Sequence, residues 1–241
     1  SRFPDLIKPI FEEVNQYQGG IRASSVMLKY AAGEYIALCE GDDWWIDSCK
    51  LQKQVDYLDS NSNVSMVFTD REVVGPSGDK FMAYPNEVYR TADVFDDFIA
   101  FTQTSMLRNL SGLRQFMLHH QASFYGDHMT SYYASLFGEI HRIPESTAVY
   151  NQSGEGVWSS FTEEEKFLNI VKRRVDFHKR FGQGGIPQAL WKTLKYRYKE
   201  RGAIKFFRED FPLLRQKCGI TYFYLLKSAV EDKLDYWFGW R

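Results

Sequence analysis

The feature of this sequence that most constrains its fold is a short apolar run that ends in three acids. The run covers residues 35–39, and Glu40, Asp42 and Asp43 follow it with a single glycine between them. An uninterrupted apolar run of this length predicts a strand that is buried on both faces of a parallel sheet. Because ligands of open α/β sheets bind beyond the carboxyl ends of the strands, the acids stand where such a sheet would hold a ligand.

The segments around this run alternate between strand and helix patterns. In chain order the sequence predicts an edge strand at 6–12, a helix at 22–32, the strand at 35–39, a helix capped by Asp47 or Ser48 with Leu51, Val55 and Leu58 on its apolar face, and a strand at 64–69. This order is typical of an α/β protein with a parallel or mixed sheet. Further along, the pattern predicts helices near 94–101, 110–118 and 129–137, strands at 140–143 and 147–151, and a mostly helical remainder from residue 163.

The charge is divided unevenly along the chain, although the net charge is only −1. Residues 1–160 contain 12 Lys and Arg against 21 Asp and Glu, whereas residues 161–241 contain 18 against 10. We therefore expect two domains, an acidic one over residues 1–160 and a basic helical extension over residues 161–241. The basic extension either packs on the protein itself or meets the anionic head groups of a membrane.

One helix of this extension illustrates the two alternatives. Leu190, Trp191, Leu194 and Tyr198 recur at helical spacing, and lysines and an arginine occupy the other positions. The pattern predicts a basic amphipathic helix. Its apolar face suits packing against protein, and its basic face suits an anionic membrane surface.

Cysteine usage and hydropathy exclude several classes of protein. The three cysteines, Cys39, Cys49 and Cys218, form no CxxC pair, so neither a disulfide scaffold nor a zinc knuckle is indicated and a cytoplasmic, reducing location is expected. No apolar run approaches the roughly 20 residues that cross a bilayer. The acidic first domain carries no recognised nucleic-acid-binding module, so no nucleic-acid partner is expected.

The crowding of three carboxylates needs a physical reason, because like charges repel. Hard divalent cations prefer oxygen ligands, and Mg²⁺ or Mn²⁺ held by a few protein carboxylates is commonly completed by a diphosphate. A solvated acidic turn is the alternative. The buried strand predicted before the acids keeps both interpretations open.

Three segments around the acids follow one another in a characteristic order. They are Asn15-Gln-Tyr-Gln-Gly-Gly20, the stretch from Leu28 to Trp45 that contains Glu40-Gly-Asp-Asp43, and Lys50-Leu-Gln-Lys-Gln-Val55. Together they resemble bacterial family-2 glycosyltransferases of the GT-A fold, a Rossmann-like α/β fold with a mixed sheet and flanking helices. The resemblance implies that residues 1–160 form the catalytic domain.

In that family the acidic segment is the DxD-type motif, which binds a divalent ion and, through it, the diphosphate of a nucleotide sugar. The resemblance implies that Asp42 is the principal metal ligand and that Glu40 takes the place of the motif's first acid. Asp43 is expected to contact the donor sugar. The expected cofactor is Mn²⁺ or Mg²⁺.

The resemblance continues in the middle of the chain. Residues 101–108 are similar to the segment beneath the acceptor site, which implies that Thr104 and Ser105 contribute to binding, and Gly126-Asp127 matches the position of the general base. An inverting transfer needs one carboxylate that takes the proton of the acceptor hydroxyl. From the residues alone, a Gly-Asp pair before a helix is more often an N-cap, and one aspartate can do both.

Five further residues are expected at the donor or acceptor: Gly20, Arg22, Trp44, Trp45 and Trp158. The two tryptophans after the acids either stack on a sugar ring or pack beneath the metal-binding loop. The five histidines lack the spacing of metal ligands, and a structural or surface role is favoured for them. His128, beside Asp127, is the one worth testing for a role in the site.

Two departures from the family pattern qualify the match. Asn151 and Ser153 stand where the family commonly has Arg and His, although the glycine and tryptophan that follow are retained at 156–158. Loss of a cationic pair near a diphosphate would weaken donor binding or move that duty to the metal and to residues such as Arg22. Relatives also begin well upstream, so we expect that the strands gripping the nucleoside lie outside this sequence.

These observations predict a metal-dependent, inverting glycosyltransferase. The expected donor is a nucleotide sugar, UDP-linked, and the acceptor is a glycan or a lipid-linked sugar of a bacterial surface polysaccharide. The expected location is the cytoplasm, with the basic helices as a possible peripheral membrane contact. The alternative is a catalytically impaired relative that binds a glycan or a nucleotide, which Asn151 and Ser153 make plausible.

Overall fold

The computed structural model describes most of the chain, in segments. The described residues are 3, 6–15, 21–76, 78–96, 99–120, 126–152, 160–182 and 188–220. The chain divides into two compact units. The first unit comprises residues 1–74, 78–94 and 99–151, and the second comprises 75–77, 95–98 and 152–241.

The strands of the first unit, in chain order, are β1 (Tyr35–Ala37), β2 (Trp44–Trp45), β3 (Val64–Val74), β4 (Lys80–Met82), β5 (Val88–Tyr89), β6 (Ser105–Arg108) and β7 (Glu139–Asn151). The helices are α1 (Ala23–Met27), α2 (Lys50–Ser60), α3 (Thr91–Asp96), α4 (Leu113–His120), α5 (Gly126–Ser135), α6 (Glu163–Phe181), α7 (Gln188–Lys205) and α8 (Phe211–Cys218). A 3₁₀ turn covers Thr102–Thr104 and a π-helical turn covers Phe206–Asp210.

The seven strands form one mixed sheet, which confirms the predicted α/β class. Its order is β1-β6-β3-β7-β2, with β4 also paired to β3 and β5 to β7. β3 and β7 run parallel, and the other strand pairs are antiparallel. β3 is buried along nearly all of its length because strands flank it on both sides.

The apolar run before the acids does not lie where the sequence predicts. β1 is at one edge of the path of paired strands and pairs antiparallel with β6, and only Ile36 of its three residues is buried. The prediction of a doubly buried parallel strand is therefore wrong. The run is apolar because Tyr35 and Ala37 pack against the core cluster that contains Leu58 and Val67.

Other local predictions have mixed outcomes. α2 and β3 are confirmed as elements. The N-cap of α2 is Cys49, where the sequence predicts Asp47 or Ser48, and Leu51 of its predicted apolar face is 39% exposed. Residues 6–12 contain no strand, and the helix predicted for 22–32 is only α1. The two strands predicted at 140–143 and 147–151 are one strand, β7, whose register with β3 shifts around Asp70. The irregularity lets one long strand follow the sheet across the Pro144 region.

The second unit is helical. α6 begins with a reciprocal capping box in which the Thr162 side chain accepts from the Glu165 N–H and the Glu165 carboxylate accepts from the Thr162 N–H. Leu190 and Leu194 are buried in a core with residues of α6 and α8, while Tyr198 is 41% exposed. The apolar face of α7 is thus used largely for packing inside this unit. No helix among the described residues has the length and apolar character of a membrane span.

Candidate active site

The three acids lie together in the turn between β1 and β2. One carboxylate oxygen from each of Glu40, Asp42 and Asp43 can be chosen so that all three lie within 4.8 Å of one another. Glu40 and Asp42 are exposed, whereas Asp43 is only 9% exposed. The cluster therefore has a buried member at its base and two members that reach solvent.

Asp43 owes its position to the end of β7. Its Oδ1 accepts a hydrogen bond from the backbone N–H of Asn151 at 2.9 Å, and its Oδ2 is buried without a hydrogen-bond partner in the part of the chain that the structure describes. Burial raises the pKa of Asp43, and the Asn151 N–H opposes that rise by stabilising the charged form. A buried carboxylate oxygen without a partner is costly, so this atom is suited to a cation.

The cluster fits a divalent cation in its chemistry and nearly in its dimensions. Two ligands on opposite sides of an octahedral Mg²⁺ ion are about 4.2 Å apart, since each lies about 2.1 Å from the metal. The 4.8 Å spread of the three oxygens is slightly larger. Asp43, which the family resemblance places at the donor sugar, is in this structure grouped with Glu40 and Asp42.

Asp127 approaches the same region from the start of α5. Its Oδ1 accepts from the N–H of His128 at 3.0 Å. Burial raises the pKa of Asp127 to about 6, and hydrogen bonding and the charges of Arg22 and Arg71 oppose the rise. Asp127 therefore combines a position in the first turn of a helix with the pKa of a group that can exchange protons near neutral pH.

Glu40 connects the cluster to Asp127 electrostatically. Its pKa is raised to about 7, first by desolvation and then by the charge of Asp127, with smaller contributions from Asp43 and Asp42. The charge of Arg22 lowers it. The charge of Asp127, the predicted base, thus acts on Glu40, one of the predicted metal ligands.

Arg22 stands at the N-cap of α1, against the start of α5. A methyl group built on Gly126 would lie 3.5 Å from the Arg22 Cδ atom. Arg22 is therefore in place to act on Asp127 and Glu40 together. His128, in contrast, pairs through Nε2 with the Val94 carbonyl at 2.9 Å, which gives it a structural role between α5 and α3.

The two tryptophans after the acids have different environments. Trp45 is held inside, because its Nε1 donates to the Gln103 carbonyl at 3.0 Å and the Lys50 ammonium lies 4.7 Å from its ring centre. Trp44 is 44% exposed at the edge strand β2. Trp45 therefore matches the packing interpretation, and Trp44 keeps an open ring that a sugar can reach.

Thr104 and Ser105 lie beneath the surface. Both are buried, and both hydroxyls donate to the carbonyl of Phe101 at 2.8 Å. They therefore fasten the segment in place with their side chains. Two other predicted residues, Gly20 and Trp158, lie outside the described residues, as does Ser153.

Two buried cations of the first unit were not identified as site residues from the sequence. Lys50 is 1% exposed and donates to Gln54 Oε1 at 2.6 Å, and burial lowers its pKa to about 8. Arg71, on β3, is 6% exposed. A charged residue within an apolar strand pattern indicates an edge strand or a functional position. Arg71, within residues 64–74, could have been identified in this way.

Comparisons with known proteins identify the family of the chain. The model of the family described as Glycosyl transferase family 2 matches residues 2–140. Rv1520 of Mycobacterium tuberculosis and Mb1547 of Mycobacterium bovis, both described as uncharacterized proteins, are 32% identical over 177 residues, which are 69% of this chain and 48% of theirs. The chain thus spans about half the length of the curated relatives it matches.

Solved structures of two proteins are similar at 12% identity. One is residues 1–349 of TarS from S. aureus, with a TM-score of 0.38 over 71% of this chain and 58% of that one. The other is the mannosyltransferase PcManGT from Pyrobaculum calidifontis in complex with GDP-Man and Mn²⁺, with a TM-score of 0.44 over 87% of this chain and 65% of that one.

Proposed function

The chain belongs to glycosyl transferase family 2, and we propose that it carries the metal and proton-transfer half of an inverting transferase site. The donor is a nucleotide sugar, UDP-linked, and the acceptor is a glycan or a lipid-linked sugar. Glu40, Asp42 and Asp43 hold Mn²⁺ or Mg²⁺, and Asp127 is the general base. The product is an extended bacterial surface polysaccharide.

The observation that carries this proposal is the unpartnered Oδ2 of Asp43. It lies at the buried base of a three-carboxylate cluster, and Asp127 raises the pKa of a member of that cluster. An exposed acidic turn would not bury one carboxylate oxygen without a donor. A bound cation removes that cost, which favours the metal-site interpretation over the solvated turn.

The residues of the chain divide the reaction between them. A divalent ion, when bound, supplies positive charge for the departing nucleoside diphosphate. Asp127 accepts the proton of the acceptor hydroxyl, and Arg22 favours the ionised form of Asp127 that this step needs. Trp44 presents an exposed ring on which a sugar can stack.

The test is metal-dependent release of nucleoside diphosphate from UDP-sugars. Asp43→Asn and Asp127→Asn are expected to lower turnover by at least about 100-fold, the scale on which general bases and charge-stabilising groups act. Asp56→Asn is the matched control, since Asp56 is an exposed acid on α2 whose Oδ1 accepts from the Gln52 side chain. Full turnover in both site variants would contradict the proposal.

A second candidate is a relative that binds the nucleotide or a glycan without turnover. It is favoured by Asn151, which contributes a backbone N–H to Asp43 and no positive charge. In that case Mn²⁺-dependent binding of UDP is retained, no UDP-sugar is consumed, and Asp127→Asn changes neither. Binding and turnover measured on the same preparation separate the two candidates.

The basic second unit supports a location at the cytoplasmic face of a membrane. Tyr196 is 73% exposed on α7, where Lys192 and Lys199 are also exposed, and Phe207, in the π-helical turn that follows the helix, is 45% exposed. Aromatic and cationic side chains together suit an anionic interface. Co-sedimentation with phosphatidylglycerol vesicles, lost in a Lys192→Gln and Lys199→Gln double variant and absent with neutral vesicles, is the expected result. Equal binding to neutral vesicles would contradict it.

A further inference from the structure

Arg71 is a buried cation that the reaction scheme above does not use. It lies on the central strand β3, opposite Ala148 of β7, and is 6% exposed. Its guanidinium carbon is 3.3 Å from the ring centre of Phe101 and 4.8 Å from that of Tyr150. Two aromatic rings thus hold the guanidinium in place without neutralising it.

Part of the hydrogen-bonding capacity of Arg71 is unused among the described residues. Its Nε and Nη1 atoms are buried without a partner, and no ion pair joins it to an acid in the described part of the chain. Contacts with aromatic faces recover only part of the free-energy cost of removing an ion from water. Burial accordingly lowers the pKa of Arg71. Such a group is expensive for the fold alone.

Arg71 and Asp43 are unsatisfied groups of opposite charge in one site. The charges of Asp43 and Asp127 act on Arg71, so Arg71 lies within electrostatic reach of both the acid cluster and the predicted base. Asp43 Oδ2 likewise has no hydrogen-bond partner among the residues that the structure describes, and no hydrogen bond joins the two side chains. A ligand with a cationic and an anionic part would satisfy both at once, and a divalent ion with a diphosphate has that character.

We infer that Arg71 is the cation of this chain for the phosphate groups of the ligand that binds at the acid cluster. The inference rests on the proposed function and adds to it a binding residue on the strand beside Tyr150 and Asn151. It also accounts for the absence of a cation at Asn151, because the positive charge is supplied from the neighbouring strand. The charge acts in a poorly hydrated environment, where it is weakly screened.

The experiment measures binding of Mn²⁺ alone and of inorganic pyrophosphate in the presence of Mn²⁺, by calorimetry on the purified protein. Pyrophosphate is the probe because it needs no nucleoside site. Arg71→Gln is expected to weaken pyrophosphate binding by about 10-fold or more, the scale of a lost charge-assisted interaction. Mn²⁺ alone is expected to bind at least as tightly as before, because a positive charge near Asp43 has been removed.

Two further variants separate charge from packing. Arg71→Lys loses the planar stack but keeps the charge, so it should retain most of the pyrophosphate affinity that Arg71→Gln loses. Arg108→Gln is the matched control, because Arg108 also contacts a tyrosine ring but donates to the carbonyls of Val64 and Leu58. It is expected to lower stability and leave pyrophosphate binding unchanged.

The outcomes distinguish this inference from the proposed function. Pyrophosphate affinity within twofold of the parent in a folded Arg71→Gln variant, with Mn²⁺ binding intact, would overturn the role of Arg71 alone. Equal losses in the Gln and Lys variants would also overturn it, since packing would then be the cause. No Mn²⁺ binding by the parent protein would instead overturn the proposed metal site.

Discussion

Metal binding to the acid cluster should release protons, and the amount should depend on pH in a defined way. The pKa of Glu40 in the protein without metal is raised to about 7. A group with that pKa is about 0.9 protonated at pH 6 and about 0.1 protonated at pH 8. If Glu40 is a ligand, its proton must leave when the ion binds. Binding of Mn²⁺ should therefore release about 0.9 proton at pH 6 and about 0.1 at pH 8 from this residue.

The same competition sets the affinity. Because the proton and the ion compete for Glu40, the apparent affinity for Mn²⁺ should rise about tenfold from pH 6 to pH 8. The sign for stability follows from the raised pKa. The unfolded chain loses the proton near the ordinary value of 4.5, whereas the folded protein keeps it up to about 7, so stability without metal falls as the pH rises between these values.

Calorimetry in two buffers of different ionisation enthalpy measures the released protons directly. Glu40→Gln should abolish the pH-dependent part, and Asp127→Asn should move it to lower pH, because the charge of Asp127 is the second cause of the raised pKa. Asp56→Asn should leave it unchanged. Tight Mn²⁺ binding at pH 6 without proton release would refute the reasoning, since Glu40 would then be either ionised already or absent from the coordination.

Three other predictions test neighbouring parts of the structure. Asp70→Asn should lower the free energy of unfolding in urea by about 3 kcal/mol, because it leaves the Arg142 guanidinium of a buried, bidentate pair without its counter-charge. A loss below about 1 kcal/mol would show that the pair is solvated. Trp44→Ala should raise KM for the sugar substrate with little change in melting temperature, because its ring is exposed. Trp45→Phe should instead lower the free energy of unfolding by about 1 kcal/mol, because the indole hydrogen bond to Gln103 is lost. The reverse pattern would exchange the roles of the two residues. With metal bound, kcat/KM should fall tenfold for each pH unit below about 6, because Asp127 becomes protonated there. A fall that begins well above about pH 7 would point to a different base.

Local patterns in the sequence were sufficient for those elements whose residues interact over short distances. α2 follows from apolar residues at helical spacing, and β3 follows from an apolar run of strand length. The grouping of Glu40, Asp42 and Asp43 required only that they be adjacent in the chain. The family resemblance added Asp127, which the structure places within electrostatic reach of Glu40.

The features that escaped prediction depend on contacts between distant residues. β1 is an edge strand because its partner is β6, about 70 residues away, and a five-residue apolar run contains no information about its neighbours. The burial of Asp43 depends on Asn151, 108 residues later. The packing of the Arg71 guanidinium between two aromatic rings depends on Phe101 and Tyr150, which belong to two other segments.

β7 connects these distant contacts, because it pairs with both β3 and β2. Its last residues pair with β3, the strand of Arg71, on one side, where Asn151 lies opposite Val74, and Val149 pairs with Trp44 of β2 on the other. A strand end in this position can tolerate a side chain without charge, because its contribution to Asp43 is a backbone N–H that any residue except proline provides. On this argument Asn151→Ala should leave Mn²⁺ affinity within about twofold, while Asn151→Pro should weaken it, and a large loss in the alanine variant would show that the amide side chain itself contributes to the site.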